Sequence, residues 1–146
     1  SPFRMKLFLL WKLPAAWFMG IGVQSCDGRR AVVRLPYGWR AQNPFRSTYF
    51  AAQCAAGELS TGLLATALLR DLPPTSMLVT HVEAKFTKKA NQTLLFTCEQ
   101  GAEMEAVLQT CMETGESGIF RAESIGRLPD GTEASRVWIT WSFKRK

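Results

Sequence analysis

The chain has 146 residues, 47% hydrophobic and 21% charged, which is enough apolar material for one core and too short for a multi-domain machine. Eleven glycines and seven prolines are close to average usage and form no repeat or low-complexity tract, so collagen-like and disordered classes are excluded. Eighteen Lys and Arg against twelve Asp and Glu leave a net charge of +6, which favours an anionic partner: nucleic acid, an acidic membrane surface or the phosphates of coenzyme A.

A single domain is expected over 1–146. Its first segment, 1–13, places Arg4 and Lys6 before Leu7, Phe8, Leu9, Leu10 and Trp11, and Lys12 then interrupts the apolar run. That interruption argues against a secretory or membrane-spanning segment and for a short amphipathic helix ended by Pro14. Packing against the domain or a partner subunit is its expected role. A membrane-surface role is the sharper alternative, because basic residues beside Phe8 and Trp11 suit an interfacial helix. For the protein as a whole, membrane association is not expected.

Next, Asp27-Gly28 offers a tight turn, and Ala31, Val33 and Leu35 alternate with Val32 and Arg34, which predicts a two-stranded hairpin. Residues 36–46 are rich in turn formers and amides and read as a loop. From Ser47 to Arg70 no proline occurs and Ala and Leu dominate, so a long helix is expected there, capped by Ser47 or Thr48. It is apolar over most of its circumference and must be wrapped. Residues 79–88 and 92–99 read as two neighbouring strands joined by the turn Lys89-Ala90-Asn91. Val82, Ala84 and Phe86 share one face of the first, and Leu94, Phe96 and Cys98 one face of the second. A smaller helix is expected over 101–114. A final hairpin follows, 119–128 and 133–143 around Pro129-Asp130-Gly131-Thr132, with Val137, Ile139, Trp141 and Phe143 on one side. The pattern is α+β, antiparallel sheet with one central helix.

The four cysteines, Cys26, Cys54, Cys98 and Cys111, stand singly without metal-ligand spacing, so no metal is expected and they read as reduced thiols of a cytoplasmic protein. His81, the single histidine, lies in an alternating strand and reads as a strand residue. Nucleic-acid binding is not expected, since no surface motif interleaves aromatic and basic residues.

The stretch Trp39-Arg40-Ala41-Gln42-Asn43-Pro44-Phe45-Arg46-Ser47-Thr48-Tyr49-Phe50, followed by Glu58 within the helix, resembles the hotdog-fold thioesterases. It looks most like an uncharacterised branch related to the phenylacetate-pathway acyl-CoA thioesterases. In that group an asparagine precedes the helix, a His-Gly-Gly turn opens it and an acid lies within it. Asn43 and Glu58 match in kind, and Ser47-Thr48-Tyr49 stands where His-Gly-Gly would be. The resemblance implies a hotdog fold, a curved antiparallel sheet wrapped around a long central helix at about 47–70. It also implies a homodimer or tetramer that hydrolyses an acyl-CoA or acyl-carrier thioester in a tunnel between subunits, with no cofactor beyond the coenzyme A of the substrate. Hotdog domains also include non-catalytic acyl-CoA binding or sensing modules, and that is the alternative.

Thioester hydrolysis needs a polarised carbonyl, donors for the developing oxyanion, and a base or nucleophile. The free N–H groups around Thr48, Tyr49 and Phe50 at the helix start suit the first two needs. Asn43, Ser47 and Thr48 are candidates to orient carbonyl or water. Glu58 is the candidate base or nucleophile, the only acid between Asp27 and Asp71 and set in an apolar helix where an unpaired charge is expensive. Its other reading is a structural acid paired with a basic residue such as Lys85 or Arg121 across the subunit interface. Eleven residues separate it from Ser47, which sets the two on one helical face with about 16 Å of rise between them, so it would act with the helix start of a partner subunit. Arg40, Arg46, Lys85, Lys88 and Lys89 are candidates for the phosphates of coenzyme A, and Trp39 and Tyr49 complete the substrate-binding set.

Overall fold

The computed structural model describes residues 1–146. Helices α1 (Pro2–Lys12) and α2 (Pro14–Phe18) lead into strands β1 (Gly22–Cys26) and β2 (Ala31–Leu35). A single 3-10 turn, Trp39–Ala41, precedes the long helix α3 (Phe50–Leu69), followed by β3 (Thr75–Phe86), β4 (Leu94–Cys98), α4 (Gly101–Thr114), β5 (Gly118–Arg127) and β6 (Glu133–Arg145). All six strands form one antiparallel sheet in the order β1-β2-β4-β5-β6-β3. The sheet curves around α3, the hotdog arrangement that the resemblance implied.

Alternation along the strands decides which side chains meet the helix. In β6, Val137, Ile139, Trp141 and Phe143 are buried while the residues between them are partly exposed, and Leu94, Phe96 and Cys98 do the same in β4. Opposite them α3 presents small residues. Ala52, Ala56, Gly57, Ser60 and Ala65 are buried, and a Cβ added at Gly57 would sit 2.8 Å from the Val137 Cβ, so only glycine permits this approach. Ser60 Oγ donates to Ser124 Oγ at 2.7 Å, and the Trp141 indole N–H donates to Thr61 Oγ1 at 2.8 Å. These fully buried hydroxyl contacts satisfy polar groups that would otherwise cost free energy in the core.

Four expectations need correction. The long helix starts at Phe50 rather than Ser47, with Tyr49 as N-cap and no side-chain cap bond, because the Ser47 and Thr48 hydroxyls are engaged elsewhere. Pro14 ends α1 but also opens a second short helix, since proline without its N–H fits the first helical turn. The predicted strand over 79–88 begins four residues earlier, at Thr75. It does not neighbour β4: β3 pairs with β6, and β4 lies between β2 and β5. The segment 87–93 is therefore a crossover, held by Thr87 and Lys88 N–H groups on the Ala134 carbonyl (2.9 and 3.2 Å). Val82, Ala84 and Phe86 do share one face, opposite Ile139, Val137 and Ser135, yet Val82 and Phe86 stay exposed because β3 is an edge strand that α3 does not cover.

Replacing Gly57 with Leu must push Val137 aside and is expected to lower unfolding stability by about 1–3 kcal/mol, the usual overpacking cost, read as a fall in the urea midpoint.

Candidate functional site

The loop before α3 is organised by Asn43. Its Oδ1 accepts from the N–H groups of Phe45 (2.9 Å) and Ser47 (3.1 Å), and its Nδ2 donates to Ser47 Oγ at 3.0 Å. An asparagine closing the backbone in this way forms a tight turn, and Arg46 within it takes φ 61, the left-handed region. Thr48 anchors the loop from the other side. Its N–H and its buried hydroxyl both donate to the Ala90 carbonyl, at 2.7 and 3.0 Å, and the Tyr49 N–H donates to the Ala41 carbonyl at 2.7 Å.

Consequently the free donors lie further along than the sequence suggested. Thr48 and Tyr49 N–H groups are used, whereas those of Phe50 and Ala51 carry no hydrogen bond within the chain. They open a 20-residue helix, so the positive end of its dipole stands behind them. Beside them Gln53, buried, donates Nε2 to the Thr48 carbonyl at 3.3 Å, and its Oε1 has no partner. The pocket here has a volume of about 610 Å³; Asn43, Ser47, Thr48, Phe50 and Gln53 form one wall, and the crossover residues Phe86 to Ala90 form the other. Lys88 and Lys89 thereby stand at an exposed rim of the same pocket.

Glu58 lies eight residues beyond Phe50, about 12 Å along the helix, in a different pocket. That pocket, about 200 Å³, is lined by Glu58, Phe8, Lys12, Met77 and Trp141 among others. The carboxyl is half-buried, accepts no hydrogen bond and forms no ion pair. Burial without a partner pushes its pKa above the ordinary glutamate range. Within the chain neither Lys85 nor Arg121, the bases considered as its partners across a subunit interface, meets it. Arg121 binds Glu83 at 3.1 Å and lies over the Trp138 ring, and Lys85 projects from exposed β3.

Of the remaining candidates only Tyr49 adjoins either pocket. Trp39 and Arg40 line a separate cavity of about 310 Å³ with Met19 and Tyr37, Arg46 is exposed on the loop, and Tyr49 lines the helix-start pocket at its surface. Ser47 does not share a helical face with Glu58, since it lies outside the helix. His81 is exposed at a register shift in β3. Burial raises the thiol pKa of Cys54, which disfavours its nucleophilic form; all four cysteines are free, and no cluster of three potential metal ligands forms. Gln53 and Phe86 were missed in the sequence. Gln53 could have been noticed as the only amide side chain in 47–70; the part played by Phe86 depends on long-range pairing.

A family model described as a domain of unknown function, DUF4442, matches residues 4–142. No curated protein matches the sequence. Among solved structures, a Pseudomonas aeruginosa protein of unknown function described as a probable thioesterase is 14% identical with a TM-score of 0.82, covering 100% of this chain and 97% of that one. A thioesterase of Haemophilus influenzae is 13% identical with a TM-score of 0.72, covering 95% and 88%. A Staphylococcus aureus thioesterase enzyme, solved with a glutamine replaced by alanine and separately with a glutamate replaced by alanine, is 14–15% identical with a TM-score of 0.66, covering 86% and 94%. At these identities the likeness is one of fold, and the fold is the hotdog.

Asn43→Ala removes the acceptor that closes the loop. It is expected to cost about 1–2 kcal/mol and to speed amide exchange at Phe45 and Ser47, with Asn43→Asp, which keeps Oδ1, recovering most of that protection.

Proposed function

The chain belongs to the DUF4442 family, and from that footing we propose that it is a thioesterase acting on an acyl-CoA or an acyl group on a carrier protein, at a site completed by a second copy of the chain. One observation carries the reading: α3 bears two unused N–H groups at its start and an unpaired, half-buried carboxylate two turns further on. Oxyanion donors and a general base are what thioester hydrolysis requires, and a structural helix has little use for either.

In one chain the two parts are about 12 Å apart and face different pockets, so the edge strand matters. The outer edge of β3 is unpaired over twelve residues and shows exposed Leu78, Val82 and Phe86, a surface suited to pairing with another strand. Met77 at one end of β3 lines the Glu58 pocket, and Phe86 at the other lines the helix-start pocket. Antiparallel pairing of two β3 edges about a two-fold axis near His81 would set the Glu58 pocket of one copy against the helix-start pocket of the other. This supports a homodimer with two composite sites. In the Staphylococcus aureus protein the replaced glutamine and glutamate are fifteen residues apart, the interval that separates Asn43 from Glu58 here.

In the proposed reaction the thioester oxygen binds to the Phe50 and Ala51 N–H groups. Glu58 of the other copy takes a proton from water as its oxygen attacks the carbonyl carbon, and the oxyanion collapses by breaking the C–S bond. The products are a carboxylic acid and a free thiol, the thiolate receiving the proton held by Glu58. Asn43, Ser47 and Thr48 hold the loop in register, and Lys88 and Lys89 meet the phosphates of the thiol carrier.

Free-thiol release from short, medium, long-chain and aromatic acyl-CoAs tests this. Glu58→Gln is expected to lower kcat by roughly 10²–10⁴ while ligand affinity is kept. Saturable acyl-CoA binding without turnover would instead make the protein a binding module. In the wild type, kcat/KM is expected to fall on the acid side at a pH above the ordinary glutamate value of about 4.3, because the base is lost as pH drops through its raised pKa.

The same shift has a stability counterpart. A carboxyl whose folded pKa is raised costs stability once ionised, so Glu58→Gln is expected to raise the melting temperature at pH 7. The gain should vanish as pH falls from the raised pKa toward the unfolded value.

A further inference from the structure

Fifteen large hydrophobic side chains are exposed. Four of them, Trp39, Phe45, Tyr49 and Phe50, surround the loop and start of α3, and four more, Leu78, Val82, Phe86 and Ile119, lie on β3 and its side of the sheet. The other seven fall within residues 3–18, and neither the pockets nor the β3 edge accounts for them as a group.

Their placement is orderly. Leu9 is the only fully buried residue of α1, and Leu7 and Trp11 lie two residues to either side of it, about 200° round the helix. Phe3, Leu7 and Trp11 form an i, i+4, i+8 stripe that faces away from the domain, Phe3 70% and Trp11 80% exposed. Trp17 and Phe18 of α2, which packs on α1, are exposed as well. The charges around the stripe have one sign. Arg4 falls beside Trp11 on the outer face, Lys6 and Lys12 lie nearer the buried side, each about 60° round from Leu9, and no acid occurs before Asp27. Just beyond α2, the Arg40 guanidinium packs against Gly20, where an added Cβ would lie 3.0 Å from its nitrogen, and Trp39 beside it is 77% exposed.

We infer that α1 and α2 form a docking surface for an anionic lipid bilayer, lying in the plane of the membrane with Phe3, Leu7 and Trp11 in the headgroup–acyl boundary and the cations among the lipid phosphates. Eleven residues of α1 reach about 16 Å, so the helix lies on a bilayer rather than crossing it, and no helix of the chain is long and apolar enough to cross. Aromatic residues suit that boundary and Lys and Arg can extend to the phosphates. Charge argues against self-association through the same patch: a two-fold contact would bring together two copies of a segment that carries cations only, with no acid before Asp27. The surface also connects to the interior, since Phe8, Lys12 and Leu13 of this segment wall the Glu58 pocket. Docking would place that pocket next to the lipid.

The test is co-sedimentation of the whole chain with phosphatidylcholine vesicles, with and without phosphatidylglycerol, at low and high salt. Binding is expected with the anionic vesicles only and should weaken with salt. Arg4→Glu with Lys6→Glu, and separately Phe3→Ser with Trp11→Ser, should each weaken it by about tenfold or more. All four residues are exposed, so circular dichroism and melting temperature should stay unchanged. Absence of binding, equal binding to neutral vesicles, or variants that change the molar mass in light scattering while leaving vesicle binding intact would each overturn the inference. Thiol release without vesicles is scored separately, so this surface and the hydrolytic reading can fail independently.

Discussion

The structure turns on how closely the sheet approaches α3. Gly57 lies against Val137 with no room for a methyl group, and the Ser60–Ser124 and Thr61–Trp141 hydrogen bonds on either side fix the rotation of the helix to within one residue. A one-residue turn of α3 would bring Glu58 against Val137, an unpaired carboxylate in a dry core, and no such state can compete. Because Gly57 faces the sheet, Glu58, about 100° further round, faces the space beneath α1.

That packing also decides the chemistry of the carboxyl. Trp141 spends its only donor on Thr61 Oγ1, and the Thr61 hydroxyl in turn donates to the Glu58 carbonyl at 2.8 Å. The indole therefore turns an apolar ring toward the pocket, and Glu58 has neither a donor nor a cation in contact. Its raised pKa is a consequence of the core satisfying itself first. At the other end of α3 the same economy leaves donors unused. A Ser or Thr directly before a helix usually caps it, worth about 1 kcal/mol, but here Ser47 is engaged with Asn43 and Thr48 with Ala90. The helix forgoes its cap, and the Phe50 and Ala51 N–H groups keep no partner in the chain, Phe50 lining the pocket itself.

Much of this was legible in the residues. Alternation of Val137, Ile139, Trp141 and Phe143 identified the inner face of β6, because a side chain every second residue can have only one destination in a sheet covered on one side. The proline-free run of Ala and Leu located α3 to within three residues, and Glu58 stood out as an acid without local company. The start of the helix was less legible. Ser47 and Thr48 are good caps in isolation, and nothing nearby in sequence signals that Ala90, 42 residues on, will take the Thr48 hydroxyl.

By itself the sequence determined most of the elements, the buried faces of β4 and β6 and the α+β class, because these follow from periods of two and 3.6 residues and from local backbone chemistry. The tertiary structure alone decided that β3 pairs with β6 rather than β4, which N–H groups remain free, that Gln53 is buried beside them, and that Glu58 and the helix start open into separate pockets joined by the β3 edge. Those outcomes depend on contacts between residues far apart in the chain, where each donor or face is claimed by whichever partner the folded sheet brings nearest.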